Sequence, residues 1–145
     1  MTVQRTESRE RRKSASHFRN LLTWQKSQEL AAEIIGLSLG LRPDRANDAL
    51  VRQLVRAAGS VPANIAEGYG RYSRAAYRSH LSYARGSAHE VQSWLDLLAR
   101  SGDLQPEEAA TLDARYEELV KLLTSRMKDL DAGPSVRDKG RVYDL

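Results

Sequence analysis

The feature that most constrains the fold of this 145-residue chain is an unbroken apolar repeat over residues 77–98. Apolar side chains recur there at alternating intervals of four and three residues. At about 100° per residue, this spacing keeps every member within roughly 60° of Tyr77 on one helix face. The members are Tyr77, Leu81, Ala84, Ala88, Val91, Leu95 and Leu98. The repeat predicts an amphipathic helix with one buried face.

Three further stripes have the same helical spacing. They consist of Leu30, Ile34, Leu37 and Leu41; of Leu50, Leu54, Ala58, Val61 and Ile65; and of Leu112, Tyr116, Leu119, Leu123, Met127 and Leu130. No segment shows the sustained period-two alternation of a strand, so no sheet is expected. Short connections between four helices favour antiparallel neighbours. The sequence predicts an all-α fold, an antiparallel up-down-up-down four-helix bundle over residues 17–131, with a disordered basic arm at 1–16 and a flexible tail at 132–145.

Capping residues predict where the helices begin and end. Asp44 or Asn47 is expected to cap the second helix, and Ser73 the third. Gly68 is expected to end the second helix in the left-handed conformation. Pro62 lies inside that helix, and a proline there removes one backbone hydrogen bond, so we expect a kink.

A net charge of +4 conceals a strong segregation of charge. Residues 1–13 carry five basic and two acidic side chains, residues 42–85 carry eight arginines and three acidic side chains, and residues 86–130 carry five basic and nine acidic side chains. On the third helix, three arginines lie about 60–100° from the apolar line. With their neighbours they form the candidate nucleic-acid-binding set: Arg52, Arg56, Arg71, Arg74, Arg78 and Arg85.

Two interpretations of these arginines remain open. They can form a solvated face that pairs with the acidic fourth helix. Alternatively, several guanidiniums on one face can bind phosphates additively. Tyr69, Tyr72 and Tyr77 are interleaved with them and would suit stacking on unpaired bases, although Tyr77 lies on the core line.

The other flank of the third helix carries a second, partly apolar face. Tyr83, Trp94 and Leu97 lie there, beyond what the core of a four-helix bundle requires. These side chains can pack inside the bundle, but the core stripe already covers one packing face. We therefore predict a contact between subunits of an oligomer.

Signatures of catalysis and metal binding are missing from the sequence. The absence of cysteine excludes disulfides, thiolate zinc sites and thiol catalysis, and it fits a reducing cytoplasm. Neither His80 nor His89 completes a Glu-x-x-His or His-Glu-x-x-His pattern. No apolar run approaches the roughly 20 residues of a membrane span, and the charged N-terminus does not resemble a secretory signal. We therefore expect a cytoplasmic protein that is not an enzyme and uses no cofactor, metal or membrane.

One segment departs from an ordinary bundle helix. Residues 53–71 read Gln-Leu-Val-Arg-Ala-Ala-Gly-Ser-Val-Pro-Ala-Asn-Ile-Ala-Glu-Gly-Tyr-Gly-Arg. Asn64 could satisfy the carbonyl that Pro62 leaves without a donor, and Glu67 could pair with Arg71. We interpret the motif as a structural clamp rather than as a ligand site. Its members are Pro62, Asn64, Glu67, Gly68 and Gly70.

This segment resembles the signature of a four-helix-bundle family, the proteins encoded in intervening sequences of bacterial 23S rRNA genes. That family also takes in the accessory variability protein of diversity-generating retroelements. Two further stretches are similar to the family: Phe-Arg-Asn-Leu-Leu-Thr-Trp at 18–24 and Ala-Arg-Gly-Ser-Ala-His-Glu at 84–90. The resemblance covers roughly residues 18–130.

The resemblance implies a bundle that assembles as a ring-like homopentamer. For the retroelement branch it also implies contacts with a reverse transcriptase and with nucleic acid. This chain departs from that branch because it is only moderately basic and its fourth helix is acidic.

Two hypotheses follow. The first is a non-enzymatic homo-oligomer that binds RNA or DNA weakly and without sequence preference through the arginines. The alternative is a protein-interaction scaffold or accessory subunit, for example of a reverse transcriptase, without nucleic-acid binding of its own.

Overall fold

The computed structural model describes residues 17–41 and 45–133. These ranges contain four α-helices after a short 3-10 turn at Phe18–Asn20: α1 (Leu22–Leu39), α2 (Arg45–Gly70), α3 (Arg74–Arg100) and α4 (Pro106–Asp131). No strand occurs in them, so the predicted all-α fold is confirmed. The predicted arm at 1–16 and residues 134–145 of the predicted tail lie outside the described residues. None of the described helices combines the length and apolarity needed to cross a bilayer.

The four helices form an antiparallel bundle in which sequence neighbours pack together. The contact between α2 and α3 is the most extensive, and that between α1 and α4 is much smaller than any contact between helices that follow each other in the sequence. All seven members of the apolar repeat in α3 are buried, because that face lies against the core. The core also contains Ile34 of α1, Ile65 of α2 and Tyr116 of α4, each fully buried. Helix α3 therefore has α2 along one flank and α4 along the other.

The ends of the helices confirm the predicted cap at Ser73, exclude Asn47 as a cap and correct the prediction for Gly68. Ser73 is extended, and its hydroxyl accepts a hydrogen bond from the Ala76 N–H at 3.0 Å, as an N-cap does. Asn47 lies inside α2 with its side chain buried, so it is not the N-cap; Asp44, the alternative, lies outside the described residues. The predicted left-handed cap at Gly68 is wrong, because α2 continues to Gly70 and the described positive φ angles occur elsewhere.

Pro62 is accommodated inside α2, which continues without interruption from Arg45 to Gly70. The proline side chain is buried in the bundle. Its ring therefore contributes apolar contact area at a position where it cannot donate a backbone hydrogen bond.

Candidate nucleic-acid interface

The six predicted arginines are divided between the two flanks of α3. Arg78 contacts α4 and Arg85 lines a groove with α4 residues, so both face the α4 side. Arg56 instead contacts Glu90 across the α2 side. Arg52 is exposed on α2, and Arg71 follows the end of that helix. Within one subunit the set is therefore not a single continuous stripe.

Three of the six arginines form ion pairs with carboxylates of the same chain. Arg56 Nη2 lies 3.3 Å from Glu90 Oε1, Arg71 Nη2 lies 2.8 Å from Glu67 Oε1, and Arg78 Nε lies 3.0 Å from Asp131 Oδ1. Only the pair of Arg78 reaches the acidic fourth helix. The interpretation that the arginines form a solvated face paired with the acidic fourth helix therefore holds for one of the six, Arg78.

The ion pairs shift the pKa values of two of their members. The hydrogen bond from Arg71 holds the pKa of the Glu67 carboxyl below its usual range. The hydrogen bond with Asp131 raises the pKa of Arg78. Both pairs are solvent-exposed, and such pairs contribute little to stability. Their main effect is to neutralise guanidiniums that would otherwise be available to phosphates.

The other three arginines have no carboxylate within ion-pairing distance among the described residues. Arg52 donates from Nε only to the backbone oxygen of Asp48, at 3.4 Å. Both terminal nitrogens of Arg74 are buried, and neither has a hydrogen-bond partner within 17–41 and 45–133. Since a buried guanidinium without a partner is costly, the terminal nitrogens of Arg74 are not presented to a phosphate in this conformation.

Arg85 lies in a groove of about 400 Å³ between α3 and α4, here called the basic groove. Lys121 and Lys128 of α4 line it with Arg85, and Val120 contributes apolar surface. Neither lysine has an ion pair in the described part of the chain. The groove also contains Thr124, Ser125 and a single acidic residue, Glu117, which accepts a hydrogen bond from Gln92 at 3.0 Å. Three cations without ion-pair partners therefore converge on one open groove.

The sequence argument missed Lys121 and Lys128 because the region that contains them has a net negative charge. The signal that would have found them is their spacing. Residues seven apart on a helix lie about 20° from one another, so both lysines occupy one face of α4. Of the acidic residues of α4, Asp131 has its charge paired with Arg78, and Glu117 accepts a hydrogen bond from the neutral Gln92.

The tyrosines near the arginines have different environments. Tyr77 is buried, with its ring edge-on to Tyr69 at 5.9 Å between centroids, so it belongs to the core. Burial raises the pKa of its hydroxyl. Tyr72, between α2 and α3, is 93% exposed and is the tyrosine of the three that presents its ring to solvent.

The predicted oligomer face divides into an exposed pair and a half-buried residue. Tyr83 is 61% exposed and Leu97 is 41% exposed. The two lie about 21 Å apart along α3 on neighbouring faces, and we call this pair the apolar patch. Trp94 is half-buried against the core, and its Nε1 donates to Glu90 Oε1 at 3.2 Å. The same carboxylate oxygen accepts from Arg56, so the indole is tied to the contact between α2 and α3.

The motif in α2 forms a polar seam with α3. Asn64 Oδ1 lies 3.3 Å from His80 Nδ1, and the hydroxyls of Ser60 and Ser87 are 2.9 Å apart. The Nδ2 of Asn64 donates to the Ser60 carbonyl at 2.8 Å. The predicted role of Asn64 is therefore wrong in detail, because the carbonyl left without a donor by Pro62 is that of residue 58, four residues earlier.

Gly68 permits the close approach of α2 to α3. A Cβ on this residue would overlap the Cβ of His80 and lie 3.2 Å from the ring of Tyr77. Glu67 forms the predicted pair with Arg71, and its second oxygen lies 3.9 Å from His80 Nδ1. A Cβ on Gly70, in contrast, would meet no atom within 4 Å. The contacts of Asn64 and Gly68 with His80 are thus made between α2 and α3, while the pair of Glu67 and Arg71 lies at the solvent-exposed end of α2.

The described residues contain no group of three or more acidic or histidine side chains that could hold a metal ion. Nor do their contacts pair a nucleophile with a base in the way that covalent catalysis requires. What the site offers chemically is fixed positive charge beside hydroxyl groups, which suits binding of phosphates.

Comparisons with known proteins agree with this architecture. No curated protein matches the chain. A crystal structure of a protein of unknown function from the S23 ribosomal protein family of Bacteroides thetaiotaomicron VPI-5482 is similar, with 31% sequence identity and a TM-score of 0.69; the match covers 74% of this chain and 99% of that one. The family model described as 23S rRNA-intervening sequence protein matches residues 19–125. The chain therefore belongs to the family of 23S rRNA-intervening sequence proteins.

Proposed function

We propose that this protein is a non-enzymatic homo-oligomer that binds RNA or DNA weakly, through phosphates and without sequence preference. The observation that carries the proposal is the basic groove, where Arg85, Lys121 and Lys128 converge without ion-pair partners among the described residues. Each phosphate that such a cation neutralises releases a counterion, which favours binding at low salt.

The remaining predicted arginines have secondary roles in this proposal. Arg78 lies one to two helical turns from Arg85 on the same flank, so a bound strand can exchange its contact with Asp131 for a phosphate. Arg52, Arg56 and Arg71 belong to the α2 side and can add to the same surface only through neighbouring subunits. Repetition of a weak site around an oligomer raises its avidity for a long polyanion.

The oligomer itself is supported by surface that a monomer does not need. Tyr83 and Leu97 expose apolar area on α3. A Cβ added to Gly59 of α2 or to Gly86 of α3 would meet no atom of another described part of the chain within 4 Å. Flat glycine surface beside protruding apolar side chains suits close packing against another subunit. The resemblance described above implies five subunits, and we propose that number.

A salt titration of binding to a 20-nucleotide single-stranded RNA and the matching DNA tests the proposal. Arg85→Glu should weaken binding about tenfold at 50 mM salt and lower the slope of log K against log salt by about one unit. Arg100→Glu is the matched control on the same helix, since Arg100 pairs with Asp96 outside the groove. Equal effects of the two variants, or no binding by the unaltered protein at 50 mM salt, would rule out the basic groove as the site.

The exposed apolar patch also favours a second candidate, a scaffold that binds another protein. In that case the partner covers Tyr83 and Leu97, and a reverse transcriptase is the partner that the sequence resemblance to the retroelement branch implies. Light scattering coupled to size exclusion separates the two ideas. A mass of several times 16.3 kDa for the isolated protein assigns the patch to self-association. A monomer that binds a stoichiometric host protein, and loses it with Tyr83→Glu, assigns the patch to a partner.

A further inference from the structure

The contact between α1 and α4 is much less extensive than the contacts between helices that follow each other in the sequence, and residues of these two helices line an open groove. Its larger part has a volume of about 490 Å³ and lies between the end of α1 and the beginning of α4. A smaller pocket continues it along the same two helices. Leu30 and Leu112 lie buried beneath the groove, and the partly buried Leu37 adds apolar surface to its larger part.

This groove, here called the acidic groove, carries more negative than positive charge. Its lining contains four glutamates, Glu29, Glu33, Glu108 and Glu118, and two cations, Lys26 and Arg115. Arg115 forms an ion pair with Glu33 across the groove. Four negative and two positive charges leave a net charge of −2 beside the apolar surface. A chain segment that carries several cations would complement it.

The sequence supplies such a segment immediately before the bundle. Residues 1–13 carry Arg5, Arg9, Arg11, Arg12 and Lys13 against Glu7 and Glu10, a net charge of +3. We propose that the acidic groove binds this basic N-terminal arm of the same chain. The proposal does not depend on nucleic-acid binding, because it concerns the opposite side of α4 from the basic groove.

The place where the arm begins makes this arrangement possible. The 3-10 turn is held against α1 by a hydrogen bond from Gln25 Nε2 to the Arg19 carbonyl at 2.8 Å and by the edge contact of Phe18 with Trp24 at 5.2 Å. The arm therefore joins the bundle at the N-terminal end of α1. From Leu22 to Leu37 is about 22 Å along the helix axis, at 1.5 Å per residue. Sixteen residues can span up to about 53 Å. This is enough for the arm to run along α1 from its N-terminal end to Glu108, which lies beside its C-terminal end.

The cysteine-free sequence allows a direct test by disulfide formation in the full chain. One variant combines Ser8→Cys in the arm with Thr111→Cys in the acidic groove. The matched control combines Ser8→Cys with Ser125→Cys, an exposed position of the basic groove on the other side of α4. Single-cysteine variants treated with a small disulfide reagent correct for the intrinsic reactivity of each site.

We expect the intrachain disulfide to Thr111→Cys to form at least tenfold faster than that to Ser125→Cys at low salt, because binding raises the local concentration of the arm. Equal rates, a faster control, or links only between chains would overturn the proposal. A second experiment adds Glu108→Gln and Glu118→Gln to both cysteine pairs. These substitutions should reduce the ratio of the two disulfide-formation rates at least threefold. An unchanged ratio in this variant, once its helicity and melting temperature match those of the parent, would show that charge complementarity does not place the arm.

Discussion

The Cβ of His80 in α3 occupies the space into which a side chain on Gly68 of α2 would project. The two helices therefore approach most tightly at the end of the Asn-Ile-Ala-Glu-Gly segment. The polar seam of Asn64 and His80 lies one turn away, where its hydrogen bond is shielded between the helices. Glycine is required at residue 68 for packing between helices, and not for a left-handed turn.

We expect Gly68→Ala to lower the free energy of unfolding by about 1–2 kcal/mol. Overpacking costs about 1–3 kcal/mol, and the better helix propensity of alanine offsets up to about 1 kcal/mol of it. Chemical denaturation monitored by circular dichroism measures the difference. Gly59→Ala is the matched control in the same helix, because a Cβ there meets nothing within 4 Å. If both variants gain stability, α2 and α3 can separate at Gly68 without cost.

The ion pair of Glu67 predicts a titration at acidic pH. Its pKa is lowered mainly by the hydrogen bond from Arg71, so its contribution to stability is present above about pH 4.5 and is lost as the pH falls through the folded-state value. Arg71→Gln should move the pKa of Glu67 back towards 4.5. Carboxyl NMR titration of the two proteins measures the shift, and an unchanged pKa would assign the effect to His80 instead.

The hydroxyl of Tyr116 is buried and has no hydrogen-bond partner in the described part of the chain. Tyr116→Phe should therefore stabilise the fold by about 1 kcal/mol, since it removes an unsatisfied polar atom without changing the packed ring. Urea denaturation at neutral pH measures this gain. A loss of stability would mean that the hydroxyl is satisfied in solution, for example by a bound water.

Tyr116 also predicts how the stability of the fold changes at alkaline pH. Burial raises the pKa of Tyr116 well above its usual value of 10, so the unfolded chain releases a proton above pH 10 that the folded chain retains. Stability then falls with rising pH, by about 1.4 kcal/mol per pH unit for this one group. Tyr116→Phe should make the fall shallower by that amount. Tyr77, whose pKa is raised in the same direction, remains as an internal reference.

The apolar patch predicts which substitution separates subunits without unfolding them. Leu97 is 41% exposed, so Leu97→Glu should reduce the measured mass in light scattering and leave the melting temperature nearly unchanged. Trp94→Glu is a poorer probe than the sequence suggested, because the new carboxylate would lie beside Glu90 and remove a partly buried indole. Loss of fold in Leu97→Glu, with no change in mass before unfolding, would place Leu97 in the core.

The periodic features of the sequence predicted the fold well. The individual contacts between helices could not be predicted from them. The apolar repeat of α3 is a property of one helix, and every member is buried as expected. The roles of Gly68 and Asn64 depend on how near α3 lies to α2, which no local pattern encodes. The basic groove escaped for a related reason: Lys121 and Lys128 lie in an acidic segment, and only the arrangement of α3 beside α4 brings them to Arg85.

Helix α1 has the smallest share of the packing in this bundle, because its contact with α4 is slight and it is the shortest of the four helices. Its N-terminus also lacks a side-chain cap. Local opening costs the least free energy where buried contacts are fewest, so we expect the amide protons of α1 to exchange with solvent before those of α2 and α3. The paired helices α2 and α3 thus form the unit that persists longest, with α1 as the element that detaches from it first.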